Sequence, residues 1–233
     1  MSEYGSGSDG CPMGKWESEV GSCSVAFKEW ASMLVAMESG DQALLLRKGG
    51  LSEDAGVFRM EHSRFLLFPT FEHQDTRLLQ PQWAPLIAAT LADQQTRIPI
   101  RTFAQVARVL AIPDSGAASQ LKKHIIWNQC YIDSRFEWQP DRPVYLVVLR
   151  VYQLANPISI DYRSEYGGCR SWVTLDVDVP IQGANPVIDD ERFSHLLHDI
   201  DQWASVTGAM PAAIASHEGA GVGAVSPESD SEL

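Results

Sequence analysis

Apolar residues recur at two different periods along the chain, and the changes of period divide it into elements. Over residues 24–39, Phe27, Trp30, Leu34 and Met37 fall at helical spacing and Gly40 stands where a helix stop belongs, which predicts an amphipathic helix. Residues 42–47 then read as a strand ending in Lys48-Gly49-Gly50, residues 51–56 as a polar loop, and 57–60 as a further extended stretch. Residues 65–68 form an apolar strand closed by Pro69. From Pro81 the period becomes helical, with Trp83, Leu86, Ile87, Thr90 and Leu91 on one face. Thr102-Phe103-Ala104-Gln105 has the form of a capping box and predicts a helix to Ala111, stopped before Pro113, after which Asp114 caps a short helix to about Lys123.

A strand-rich block follows. Residues 130–138 alternate, with Cys130, Ile132, Phe136 and Trp138 on one face and Tyr131, Asp133, Arg135 and Glu137 on the other, the period of a half-buried strand. Residues 143–152 are apolar on both faces and belong in the centre of a sheet, while 171–179 alternate with Val173, Leu175, Val177 and Val179 inward. Phe193, Leu196, Leu197 and Ile200 make one stripe of a closing helix over 189–203. The succession predicts a single α+β domain, with a mostly antiparallel sheet and helices packed against it.

Composition confines that domain to about residues 25–206. Residues 1–24 and 207–233 are rich in Gly, Ser and acidic side chains and offer no apolar face large enough to offset the entropy of ordering, so both are expected to be disordered tails. They also hold much of the charge. Of the formal −12, Glu3, Asp9, Glu17 and Glu19 against Lys15 contribute −3, and Glu218, Glu228, Asp230 and Glu232 contribute −4, leaving −5 on the core. An acidic chain is not coated in phosphate-binding residues, yet one face of a mildly acidic core can still be basic. The four cysteines, at 11, 23, 130 and 169, show neither paired CxxC nor metal-ligand spacing and read as free thiols in a reducing compartment. With no signal-peptide pattern and no apolar run near the ~20 residues of a membrane span, the expected location is the cytoplasm, with no membrane partner.

No GxxxxGK[ST] loop, GxGxxG turn, HExxH helix, GxSxG elbow or paired CxxC is present, so P-loop hydrolase, Rossmann dehydrogenase, zincin and α/β-hydrolase readings lack support, and no motif names a cofactor. Three clusters remain. Glu61-His62 and Glu72-His73-Gln74 flank the strand at 65–68 and carry the inventory of a metal site, with His62 and His73 as ligands, or of a general base. They share one site only if the chain folds back between them; otherwise they orient turns. Arg150, on the most apolar strand, needs a partner such as Asp133, Glu61 or Glu72, unless it holds an anion together with Arg47, Lys48 and Arg64. In Glu165-Tyr166-Gly167-Gly168-Cys169-Arg170-Ser171-Trp172 the paired glycines permit a sharp turn or close backbone approach. Cys169 beside Arg170 has the makings of a thiolate nucleophile, with His124 or His62 as base. The aromatics Trp127, Tyr131, Trp138, Tyr145 and Tyr152 suit either base stacking or a core.

The segments AFKEW, ALLLRKGG, EHSRFLLFPTFEHQ, PVYLVVLRVYQL and EYGGCRSW, in this order, resemble the bacterial family known as domain of unknown function 1802. Positions matching its recurrent segments include Arg47, Lys48, Glu61, His62, Pro69, Glu72, His73, Gln74, Arg150, Gly167, Gly168, Cys169 and Trp172. The resemblance supplies no catalytic residues. It implies a nucleic-acid or defence context, because some relatives associate with restriction-endonuclease-like domains. The leading expectation is therefore a nucleic-acid-associated accessory domain using Arg47, Lys48, Arg64, Arg150 and Arg170, with nucleic acid or a restriction-type protein as partner. The alternatives are a metal-dependent hydrolase built on Glu61, His62, Glu72 and His73, and a protein-interaction module recruited through its tails.

Overall fold

The computed structural model describes residues 21–48, 59–92, 97–168 and 170–214. In chain order these form β1 (Ser22–Trp30), α1 (Ala31–Glu38), β2 (Leu44–Lys48), β3 (Arg59–Met60), β4 (Arg64–Thr70), α2 (Pro85–Ala92), β5 (Arg97–Ile112), α3 (Ser115–Ser119), α4 (Gln129–Glu137), β6 (Val144–Asp161), β7 (Trp172–Pro180), β8 (Asn185–Pro186), α5 (Asp190–Thr207), β9 (Met210–Pro211) and β10 (Ala213–Ile214). Short 3-10 turns at Thr76–Leu78, Pro81–Trp83, Gln120–His124 and Ser164–Tyr166 join them.

The long antiparallel ladder between β5 and β6 frames the main sheet, whose order is β2-β6-β5-β4-β1-β7. Residues Val144 to Val151 of β6 are buried on both faces, as the continuous apolar run predicts for a central strand. All neighbours on this path run antiparallel except β1 and β4, which are parallel. The β5–β6 register slips at Ile100/Thr102 and at Val106/Arg108, and bulges of this kind bend a sheet. The sheet curls far enough for β7 to touch β6. Two apolar clusters result among the described residues. One, with Phe27, Leu45, Phe65, Val147 and Trp127, packs beneath the helices; the other, with Ala26, Leu66, Phe68, Ile100, Leu154 and Val173, fills the inside of the curl. The architecture is α+β with a mostly antiparallel sheet, as predicted.

Three elements differ from their predicted type. The expected helix over 24–39 is a strand to Trp30 and a helix only from Ala31, because β1 hydrogen-bonds to β4 on one side and β7 on the other. The capping-box pattern at Thr102 lies inside β5, where Ile98, Ile100, Thr102, Val106, Val109 and Ile112 suit a pleated surface flanked on both sides by partners. The alternating segment 130–138 is helix α4, started by Asn128, whose side-chain oxygen accepts the Tyr131 N–H at 3.2 Å while its amide donates to Arg77 O and Leu79 O. Pro69 sits within β4 rather than ending it, which is tolerated because β4 pairs with β5 only from Arg64 to Leu66. The fold also reaches past the expected limits of 25 and 206: Ser22 opens β1, and β9 and β10 follow α5. Of the expected tails at 1–24 and 207–233, residues 1–20 and 215–233 lie outside the described residues, as does the loop at 51–56. No helix among the described residues is long and apolar enough to cross a membrane.

Gly40 ends α1 with φ +77°, and a β-carbon there would stand 2.6 Å from Ile188 Cγ2. Gly40→Ala is expected to lower stability by about 1–3 kcal/mol, through left-handed strain plus the clash, read as a lower urea midpoint with unchanged slope. An unchanged midpoint contradicts the account of this turn.

Candidate functional site

A cleft of about 240 Å³ opens where the parallel strands β1 and β4 end and β7 begins. Lys28, Glu29 and Trp30 reach it from β1, Arg47 from β2, Thr70, Glu72 and His73 from the end of β4, and Gly168, Arg170 and Ser171 from the turn before β7. Trp127, Tyr131 and Arg135 complete it from the start and body of α4.

Two consecutive charges near the end of β1 organise this surface. Alternation places Lys28 and Glu29 on opposite faces of the strand, and both are buried. A buried charge must be paired or hydrogen-bonded. Lys28 Nζ donates to Tyr166 O at 2.8 Å and to Gly168 O at 2.9 Å, which ties the 164–168 turn to the sheet. Gly168 has φ +75°, so the paired glycines bring backbone carbonyls onto the ammonium. On the other face Glu29 Oε2 accepts from Arg47 Nη2 at 2.7 Å and Oε1 from the Trp30 N–H at 2.9 Å. The Arg47 guanidinium also lies 4.3 Å from the Phe27 ring centroid.

The opposite wall is aromatic. Trp127 and Tyr131 stack with centroids 3.9 Å apart and planes 9° from parallel, and Trp30 meets Trp127 edge-on at 4.9 Å. Arg135, one helical turn after Tyr131, lies 4.6 Å from its ring centroid. Burial pushes the Tyr131 phenol up, Glu29 adds to the rise and Arg135 and Arg47 oppose it, so the ring stays neutral at physiological pH. The buried Arg47 Nε, Arg135 Nε and Trp127 Nε1 have no hydrogen-bond partner among the described residues. Within a chain of formal charge −12, the cleft gathers Lys28, Arg47, Arg135 and Arg170 against Glu29 and Glu72. Its chemistry suits an anion: several cations converge on one surface and are already held in position.

A family model described as Domain of unknown function (DUF1802) matches residues 26–199. The chain belongs to the DUF1802 family. Every residue lining the cleft falls inside the span of the DUF1802 match. No curated protein matches the chain. Similar solved structures include the ASCH protein from Zymomonas mobilis, 12% identical, covering 82% of this chain and 97% of that one with a TM-score of 0.38. A serine-to-alanine mutant of ZmASCH from the same organism is 13% identical, covering 75% of this chain and 94% of that one with a TM-score of 0.39.

The expected basic patch is divided. Arg47 and Arg170 line the cleft. Lys48 instead is buried and donates to Phe136 O at 3.1 Å, capping the C-terminal end of α4; burial lowers its pKa, with Arg135 adding to the effect. Arg64 starts β4, at the end remote from the cleft. Arg150 is buried and pairs with Asp190 Oδ1 at 2.6 Å and Asp189 O at 3.1 Å, against Phe193. Its partner is therefore the start of α5, not Asp133, Glu61 or Glu72.

The acid-histidine pairs are divided as well. Glu72 and His73 line the cleft, His73 at φ 61°, whereas Glu61 and His62 precede β4, and His62 packs edge-on against Trp172 at 5.0 Å. The extended β4 holds the two pairs roughly 20 Å apart at 3.3 Å per residue, so they do not form one site. Among the described residues no group of three or more His, Cys, Asp or Glu side chains is arranged to hold a metal ion. Cys169 lies outside the described residues. His124, its suggested base, stands 3.3 Å from Asp199 and does not line the cleft. Of the aromatics, Trp127 and Tyr131 build the cleft wall, Tyr152 stacks on Phe103, and Trp138 is exposed.

Lys28, Glu29 and Arg135 are the site residues the sequence reading missed. A Lys-Glu pair between Phe27 and Trp30 was a signal that buried charges lay ahead, but on a helix it points to solvent. Glu29→Gln removes the counter-charge from half-buried Arg47 and is expected to cost about 1–3 kcal/mol in urea unfolding, less than for a fully buried pair because Arg47 keeps some water. Wild-type stability in that variant contradicts the pairing as a structural element.

Proposed function

We propose that this domain binds a single-stranded nucleic acid, holding its phosphate backbone in the cleft between β1, α4 and the turn before β7. The reading rests on the convergence of Lys28, Arg47, Arg135 and Arg170 on one concave surface of an acidic chain. Two of these guanidinium groups are fixed over aromatic rings before any ligand arrives, which lowers the cost of ordering them. A cleft of about 240 Å³ admits a single strand, whereas a duplex, whose major groove alone is about 12 Å wide, is too broad to enter it. Free phosphate esters share the same chemistry, and the length dependence of binding separates them from a strand. The role is that of an accessory domain, suited to a setting in which a strand is exposed. The restriction-type partner implied by the family's segments belongs to such a setting.

The test is a fluorescence-anisotropy titration of the full chain against labelled single-stranded RNA and DNA decamers over a range of salt. Wild type is expected to bind with an affinity that falls as salt rises, and Arg170→Glu to weaken binding about tenfold or more and reduce the salt slope by about 1. Arg108→Glu, a matched charge reversal on a residue paired with Asp201 away from the cleft, is expected to have a much smaller effect. Equal affinities and slopes for Arg170→Glu and wild type overturn the proposal.

A further inference from the structure

Beside the cationic cleft lies a second hollow of about 290 Å³ with a different lining. The two share Lys28, Thr70 and Glu72, so they adjoin without an intervening element. The second is walled by Phe68, Phe71, Ile98 and Tyr162, and Arg47, Arg135 and Arg170 do not reach it. Tyr162 is the exception to ordinary packing here: its side chain sits after the end of β6 and is 56% exposed. Neither apolar cluster of the described residues includes it. Its hydroxyl lies over Gly167, so close that a β-carbon there would stand 2.8 Å away. The turn that Lys28 anchors through Tyr166 O and Gly168 O therefore also carries the wall of the second hollow.

We infer that this hollow receives a nucleobase, stacked on Tyr162, from the strand whose phosphate occupies the cationic cleft. The inference rests on the nucleic-acid reading above and extends it from backbone contact to a two-part site. A polyanion that lacks bases fills only the first part. A planar, largely apolar ring is the chemistry that an exposed tyrosine over a hollow lined by Phe71 and Ile98 takes up, and aromatic stacking of this kind tolerates any base. The charge in one compartment and the ring in the next match the alternation of phosphate and base along a single strand. In a paired duplex the bases face each other and are unavailable to such a hollow.

Calorimetric titration of the full chain with two probes, decauridylate and linear polyphosphate, separates the compartments. Tyr162→Ala is expected to weaken decauridylate roughly 5- to 100-fold while leaving polyphosphate within about twofold of wild type, and Tyr162→Phe to bind both as wild type does. Because Tyr162 is exposed, the alanine variant should fold, and the unchanged polyphosphate affinity verifies it. Equal affinity of Tyr162→Ala and wild type for decauridylate overturns the inference while leaving the phosphate cleft standing. So does an equal loss for both probes. If wild type binds neither probe, the cleft reading falls and this inference with it.

Discussion

Lys28 and Glu29 put two opposite charges next to each other on a strand that has hydrogen-bonded neighbours on both sides, and the surroundings of the cleft follow from satisfying them. Because alternate residues face opposite ways, the two cannot neutralise each other across the strand. Lys28 is satisfied by the carbonyls of Tyr166 and Gly168, which requires the turn before β7 to close over the end of β1. Glu29 is satisfied by Arg47 from β2 and by the Trp30 N–H at the entry to α1. Elements distant in sequence are thus brought to one place by the cost of leaving a charge unpaired, which far exceeds that of shifting a loop.

That arrangement explains how an acidic chain keeps a cationic cleft. Arg47 is half neutralised by Glu29 but remains partly exposed, and Arg135 rests on a Tyr131 ring that is itself stacked on Trp127. The aromatic residues serve as a platform for a guanidinium, and their faces are spent in doing so. An exposed ring for a ligand has to come from elsewhere, and Tyr162 in the adjoining hollow is such a ring. Arg150 shows the contrasting use of the same side chain: buried, paired with Asp190 and committed to holding the start of α5 against β6.

How far the sequence was legible tracks how local the signals were. The central strand β6 was readable because eight successive buried residues leave no other arrangement, and α5 because one stripe and the Asp189 cap agree. In β5, by contrast, four residues of capping-box form are outweighed by partners along both edges that no local pattern contains. In α4 the reverse holds: an apparent alternation yields to a cap from Asn128, whose other hydrogen bonds go to a loop about 50 residues earlier. These errors carried over into the site. Arg47, Arg170, Glu72, His73 and Gly168 stand on segments read correctly or left as turns, and all five line the cleft. Lys28, Glu29 and Arg135 stand on β1 and α4, whose types were misread, and a wrong period turns a side chain to the wrong face.

The central claim is that the guanidinium groups of this cleft, rather than other basic residues, take the ligand's phosphates. The most direct measurement follows the arginine Nε–H resonances of ¹⁵N-labelled protein during titration with a single-stranded decamer. The resonances of Arg47, Arg135 and Arg170 are predicted to shift together and saturate with binding, while those of Arg97 and Arg108, paired with Asp161 and Asp201, hold their positions. Binding that leaves the first three unmoved would contradict the account.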